Sequence, residues 1–253
     1  MRNIKISALG TFALTAAGVV GLGAHFGRAN IITDVITGTG NQTSTPSTFS
    51  GTVTLRFDTT AGTLSVTMDN TTSKTYAAGD LMQGFSINIS TTGGGSLSSA
   101  TFSSVAANLI NVASDGSYSS AGTAALTGTT NNVIGTNNWV LSSTTTGLTL
   151  KTSSGYTLIG PPTGGNYSAA NSSIKGNGPH NPFMEDSSAF VLDLPNIVGA
   201  SNVDVTWATI YYTTGGVETT TRINGGTPLP EPAALSLFAI PAIGLLLRKR
   251  RTA

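Results

Sequence analysis

Apolar residues that recur at every second position constrain the fold of this chain more than any other feature of its sequence. Between residues 30 and 227 this alternation returns repeatedly, whereas the spacing of an amphipathic helix is scarcely present. In residues 51–58, for example, Val53, Leu55 and Phe57 alternate with polar neighbours. Because successive side chains of a strand point to opposite faces, the pattern predicts strands with one buried face.

The same pattern predicts a hairpin and three further strands. Residues 63–68 alternate like residues 51–58, and the short Gly-containing segment Thr59–Gly62 between them is typical of a hairpin loop. The inward residues predicted for the other strands are Phe85, Ile87 and Ile89; Phe190, Leu192 and Leu194; and Val203, Val205, Trp207, Thr209 and Tyr211. Gly-, Asn- and Ser-rich turns separate these strands.

Composition restricts the fold class further. Only 9% of the 253 residues are charged, Cys is absent, and 31 residues are Gly, which excludes a disulfide scaffold, a zinc ribbon, a coiled coil and a helical bundle. The hydrophobic share of 39% is sufficient for a core. We therefore predict one all-β domain at residues 30–224, an antiparallel β-sandwich with a jelly-roll arrangement as a variant. Residues 160–181, which have little apolar content, are predicted to form a mobile excursion from it.

The charge distribution argues against binding to nucleic acid. Seven of the 12 basic residues lie in the two terminal segments, and the body between Asn30 and Leu229 has five basic against ten acidic residues, a net charge of −5. A nucleic-acid-binding surface needs clustered Lys and Arg. We therefore expect no nucleic-acid partner.

The N-terminal residues 1–29 are typical of a secretory signal peptide, predicted to be helical. Arg2 and Lys5 precede an apolar stretch from Ala8 to Leu22, and small residues follow. We predict cleavage after Ala29, with Ala24 as the alternative.

The C-terminal residues have three successive parts. Pro230, Glu231 and Pro232 are followed by the apolar run Ala233–Leu247 and then by the basic cluster Arg248, Lys249, Arg250 and Arg251. Prolines favour an extended, protease-accessible segment. The 15 apolar residues would form a helix of about 22 Å, a short single transmembrane span. The basic cluster predicts that the end of the chain stays in the cytoplasm.

This tripartite tail, residues 230–253, resembles the PEP-CTERM sorting signal of Gram-negative bacteria, with residues 225–229 as a linker. The resemblance implies that an exosortase, an integral membrane protease or transpeptidase, removes the tail and passes the body to the cell surface or the exopolysaccharide matrix. The body also resembles domains that commonly carry this tail, through residues 64–72, 80–87 and 178–183. No catalytic residue is implied by either resemblance.

The body offers little catalytic chemistry. His180 is the one His outside the predicted signal peptide, and no G-x-S-x-G motif is present, so we predict no catalytic triad. One His without Cys is also a poor zinc site, and we predict neither a metal nor a cofactor. Calcium bound by Asp side chains, without a recognisable motif, is a weaker alternative.

Two other functions remain open from the sequence. A matrix glycosidase needs a pair of carboxylates. The candidates are Glu185, Asp186, Asp193, Asp204 and Glu218.

A surface lectin would use aromatic side chains, although an aromatic residue in an alternating strand is usually part of the core. The candidates are Trp139, Tyr156, Tyr167, Tyr211 and Tyr212.

The leading hypothesis is a non-enzymatic, exported matrix protein that contributes to biofilm structure. The sequons at Asn41, Asn70, Asn88, Asn166 and Asn171 are expected by chance in a chain of this composition.

Overall fold

The computed structural model describes residues 31–41, 48–125, 139–152, 155–212 and 219–221. The predicted signal peptide, the linker and the whole sorting tail lie outside these residues. Among the described residues, no helix is long and apolar enough to cross a membrane.

The described chain is all-β, as the alternation predicts. Two 3-10 turns, at Ala78–Asp80 and Pro195–Ile197, are its only described helical elements. The strands are β1 (Ile31–Asn41), β2 (Thr48–Asp58), β3 (Thr63–Asn70), β4 (Met82–Thr92), β5 (Thr101–Val112), β6 (Tyr118–Thr123), β7 (Trp139–Ser143), β8 (Gly147–Thr152), β9 (Leu158–Ile159), β10 (Phe183–Asp193), β11 (Asn202–Tyr212) and β12 (Thr219–Thr221).

The predicted hairpin is confirmed by strands β2 and β3. They pair antiparallel from Gly51↔Asn70 to Asp58↔Thr63. The Asp58 carboxylate accepts hydrogen bonds from the backbone N–H groups of Thr60 and Ala61, at 3.0 and 2.8 Å. Gly62, at φ 69°, donates its N–H to the Asp58 carbonyl and closes the loop. The local turn chemistry therefore fixes the register of this pair.

Hydrogen-bonded ladders arrange the strands in two runs. One run has the order β1-β2-β3-β10-β5-β6, and the other has the order β7-β8-β4-β11-β12. The short strand β9 joins them, because it pairs with β10 and, through Leu158, with Met82 of β4. The prediction of purely antiparallel sheets is wrong here, since β9 and β10 run parallel and the sheet is mixed.

Side chains from both runs meet in one core. Phe49 of β2 lies 4.3 Å, between ring centroids, from Tyr212 of β11, and Trp139 of β7 lies 5.1 Å from Phe190 of β10. The alternating residues predicted to point inward on β2, β3, β4 and β10 are all buried. Burial of this apolar surface is the main contribution to the stability of the fold.

The prediction for β11 is correct only for its first half. Val203 and Val205 are buried, but in the second half the core residues are Ala208, Ile210 and Tyr212. The cause is a β-bulge: Val205 pairs with Ile89, whereas the next paired residue is Trp207, opposite Asn88, so Thr206 is an extra residue. One extra residue reverses the facing of every residue that follows.

Residues 160–181 are not an excursion from the body, in contrast to the prediction. Tyr167, Ala170 and Ile174 of this segment are buried against Ile159 and Phe183 in a second apolar cluster. The Tyr167 hydroxyl donates a 3.0 Å hydrogen bond to the Gly160 carbonyl. Three well-placed apolar residues in successive turns are enough to fix a segment whose overall composition is polar.

Candidate functional site

The residues predicted to act in sorting all lie outside the described part of the chain. They comprise the signal cleavage residue Ala29, the motif Pro230, Glu231 and Pro232, and the basic cluster Arg248, Lys249, Arg250 and Arg251. Their roles remain predictions from the sequence.

The candidate catalytic residues of the body do not converge on one point. Among the described residues, no group of three or more His, Asp or Glu side chains could hold a metal ion. His180 is half-buried in a turn, and its Nδ1 atom has no hydrogen-bond partner there. Asp204 accepts a 2.8 Å hydrogen bond from Asn202, Asp193 is exposed, and Glu218 lies outside the described residues.

Glu185 and Asp186 are adjacent at a second bulge. Met184 of β10 pairs with Leu109 of β5, and the next paired residue of β10 is Ser188, opposite Ala107. Three residues of β10 therefore lie opposite a single residue of β5. Asp186 adopts φ 50°, and its Oδ1 atom is buried without a hydrogen-bond partner among the described residues. Burial and, secondarily, the Glu185 carboxylate raise the pKa of Asp186. Its burial and the neighbouring Glu185 carboxylate therefore both destabilise the charged form of Asp186.

We expect Asp186→Asn to stabilise the fold at about pH 7 and to change stability little at about pH 3. The raised pKa means that the folded state holds this proton more tightly than the unfolded chain does, so wild-type stability falls as the pH rises through the raised pKa. Asn removes that penalty and tolerates a positive φ. Melting temperatures at the two pH values test this, with the exposed Asp193→Asn as control. An equal effect of Asp186→Asn at both pH values would contradict it.

Four of the five candidate aromatic residues pack inside the body. Trp139 is fully buried and donates its indole N–H to the Tyr156 carbonyl at 3.1 Å. Tyr156 packs against the main core, Tyr167 belongs to the second cluster, and Tyr212 is 6% exposed. Only Tyr211 lies on the outward face of the sheet and is half-exposed. The expectation that aromatic residues in alternating strands are mostly core is confirmed for Trp139 and Tyr212, whereas Tyr156 and Tyr167 lie in loops.

The structure places a second aromatic residue, Trp207, on the same face of the sheet as Tyr211. Across the ladders, three rows of residues share the outward face of β8, β4 and β11. The rows are Lys151, Gly84 and Tyr211; Thr149, Ser86 and Thr209; and Gly147, Asn88 and Trp207. We call these nine residues the aromatic face. Trp207 and Tyr211 are four residues apart on one strand, which corresponds to roughly 13 Å.

Gly84 allows the two side chains beside it to meet. Lys151 and Tyr211 both pair with Gly84, from opposite sides, and the Lys151 Nζ lies 4.3 Å from the centroid of the Tyr211 ring. The Tyr211 hydroxyl lies 2.8 Å from the Ser86 Oγ. A cation over an aromatic face and a hydroxyl contact hold the Tyr211 ring in one orientation. This end of the aromatic face is therefore preorganised.

Two residues of the middle row are buried although they lie on the outward face, whereas Thr149 is half-buried. Ser86 is 5% exposed and Thr209 is fully buried, with no hydrogen-bond partner for its Oγ1 among the described residues. Trp207 and Tyr211 flank Thr209 along β11 and are the large side chains of these rows. The surface offered to a ligand by these rows therefore includes the half-buried side chains of Trp207, Tyr211 and Lys151 and the exposed side chain of Asn88.

The described sequons have structural roles in part. Asn70 is 2% exposed and donates hydrogen bonds to the carbonyls of Asp80 and Leu158. Asn166 and Asn171 accept hydrogen bonds from Ser168 and Ser173 in local turns. The side chain of Asn41 lies outside the described residues.

No family model matches the chain, and no curated protein matches it. Among the solved structures with some likeness to it is one described as "Pore forming protein". The identity is 12%, the alignment covers 78% of this chain and 89% of that chain, and the TM-score is 0.18. A likeness this weak supports no inference about fold or activity.

Proposed function

We propose that the chain is an exported β-sandwich protein, delivered by a signal peptide and sorted through its C-terminal tail to the surface or exopolysaccharide matrix of a Gram-negative bacterium. An exosortase removes the tail, so the protein is a substrate of that enzyme and not itself an enzyme. The observation that carries this proposal is the order of the tail: Pro230–Pro232, then 15 apolar residues, then four basic residues. The facing arrangement of two runs of strands supports the sandwich architecture.

Replacing Pro230, Glu231 and Pro232 together with Ala is expected to leave the tail attached. An immunoblot of cell fractions should show the variant as a longer, membrane-associated form, whereas the wild-type protein is shorter and outside the cell membrane. Pro228→Ala, two residues before the motif, is the matched control and should be processed normally. An unchanged processing pattern in the triple variant would contradict the sorting proposal.

The aromatic face favours carbohydrate binding as a second function of the body. Half-exposed Trp207 and Tyr211 offer rigid apolar surface with a polar edge, while Asn88 and Lys151 offer hydrogen-bonding groups beside it. A sugar ring likewise combines an apolar face with hydroxyl groups at its rim. A sheet face of this composition suits a polysaccharide better than an apolar protein surface.

A further inference from the structure

We propose that the aromatic face binds an anionic polysaccharide, whose carboxylate pairs with Lys151 and one of whose sugar rings stacks on Trp207. This inference rests on the proposed carbohydrate-binding function and specifies its ligand class and contact residues. It is independent of the sorting step.

Charge complementarity selects an anionic ligand. Lys151 is the sole charged residue in the three rows, and it forms no ion pair with a described residue; its contact is with the Tyr211 ring. Among the described residues of β8, β4 and β11, Asp204 is the one acidic residue; it pairs with Ser90, six residues along β4 from Gly84, or roughly 20 Å away. The Asp204 carboxylate accepts a hydrogen bond from the Asn202 side chain. A ligand carboxylate at Lys151 therefore meets a cation that has no ion-pair partner among the described residues.

The aromatic contact is located at the opposite end of the face. Trp207 is half-exposed and lies opposite the exposed Asn88, whose side chain can bond the hydroxyl groups of a stacked ring. One face of the Tyr211 ring is already in contact with the Lys151 ammonium, so we assign the stacking contact to Trp207. Because the two ends are roughly 13 Å apart, one ligand must be a chain of several sugars to reach both.

The sheet holds these groups without loop rearrangement. Lys151, Asn88 and Trp207 lie on three neighbouring strands whose antiparallel ladders are uninterrupted from Gly84 to Asn88. Thr206, the bulge residue that turns Trp207 outward, donates a 3.2 Å hydrogen bond to the Asn88 carbonyl. A preformed site loses little conformational entropy when it binds.

The test is affinity electrophoresis of the purified full chain in gels that contain alginate, a polyuronate, or dextran, a neutral polysaccharide. We expect retardation by alginate, weakening as NaCl rises from about 0.05 to about 0.5 M. Trp207→Ala and Lys151→Gln should each weaken alginate binding about tenfold or more. The control is Lys74→Gln, because Lys74 also lies over an aromatic ring, 4.7 Å from the centroid of Tyr76, but outside the aromatic face.

Three results would overturn the proposal. The first is that Lys151→Gln and Lys74→Gln weaken alginate binding equally. The second is equal binding to dextran and alginate with no dependence on Lys151, which would assign the face to neutral glycans. The third is no retardation in either gel together with a concentration-dependent dimer that Trp207→Ala abolishes, which would make the face an interface between copies. Circular dichroism of each variant separates lost binding from lost folding, and tail processing measured in the same strains tests the sorting proposal separately.

Discussion

Trp139→Ala is expected to lower the free energy of unfolding by about 3–5 kcal/mol. The side chain is fully buried between the two runs of strands, 5.1 Å from Phe190 between ring centroids, and its indole N–H bonds the Tyr156 carbonyl. Removing the indole leaves a cavity and takes the hydrogen-bond donor away from the Tyr156 carbonyl, and these costs add.

Urea unfolding followed by far-UV circular dichroism measures this loss. The control is Val140→Ala on the same strand, because Val140 is 42% exposed and its truncation should change stability by roughly 0.5 kcal/mol or less. A loss below about 1 kcal/mol for Trp139→Ala would show that the two runs do not share a tightly packed core at this point.

Gly84→Ala should destabilise the fold by about 3 kcal/mol or more and disrupt the aromatic face. Gly84 has φ 144°, and an added Cβ would lie 2.1 Å from the Leu150 carbonyl oxygen and 2.8 Å from the Lys151 Cα, both backbone atoms of β8. The β4–β8 ladder must separate to accept it. The Lys151–Tyr211 contact across Gly84 would then be lost as well.

The control for this substitution is Gly94→Ala. Gly94 also has a positive φ, 94°, but an added Cβ there meets nothing within 4 Å. It should therefore cost only the backbone strain, about 1–2 kcal/mol. Thermal unfolding of both variants compares them, and equal losses would show that the close approach of β8 to Gly84 does not matter.

The sequence predicts the strands of this body well wherever the alternation is uninterrupted. The β2–β3 hairpin follows directly from the pattern and its Gly62 turn, and the inward residues of β4 and β10 are predicted correctly. It does not predict the parallel β9–β10 ladder, because a two-residue strand carries no detectable period. Nor does it predict the packing of residues 160–181. Tyr167, Ala170 and Ile174 join one apolar cluster only in the tertiary fold.

The candidate site escaped sequence analysis because it depends on a one-residue bulge. A strict period of two places Trp207 on the same face as Val203 and Val205 and therefore predicts a core position for it. The extra residue Thr206 turns it outward, beside Asn88. The sequence indicates Tyr211 as a candidate, but its partner Lys151 lies 60 positions earlier in the sequence and meets it only across Gly84. No local signal in the sequence marks either event.

Mass spectrometry of the mature protein recovered from the cell surface or the matrix tests the central proposal most directly. The account predicts an N-terminus created by cleavage after Ala29 or Ala24 and a C-terminus that lacks the apolar run and Arg248–Arg251. A surface-recovered chain that still ends at Ala253 would contradict it.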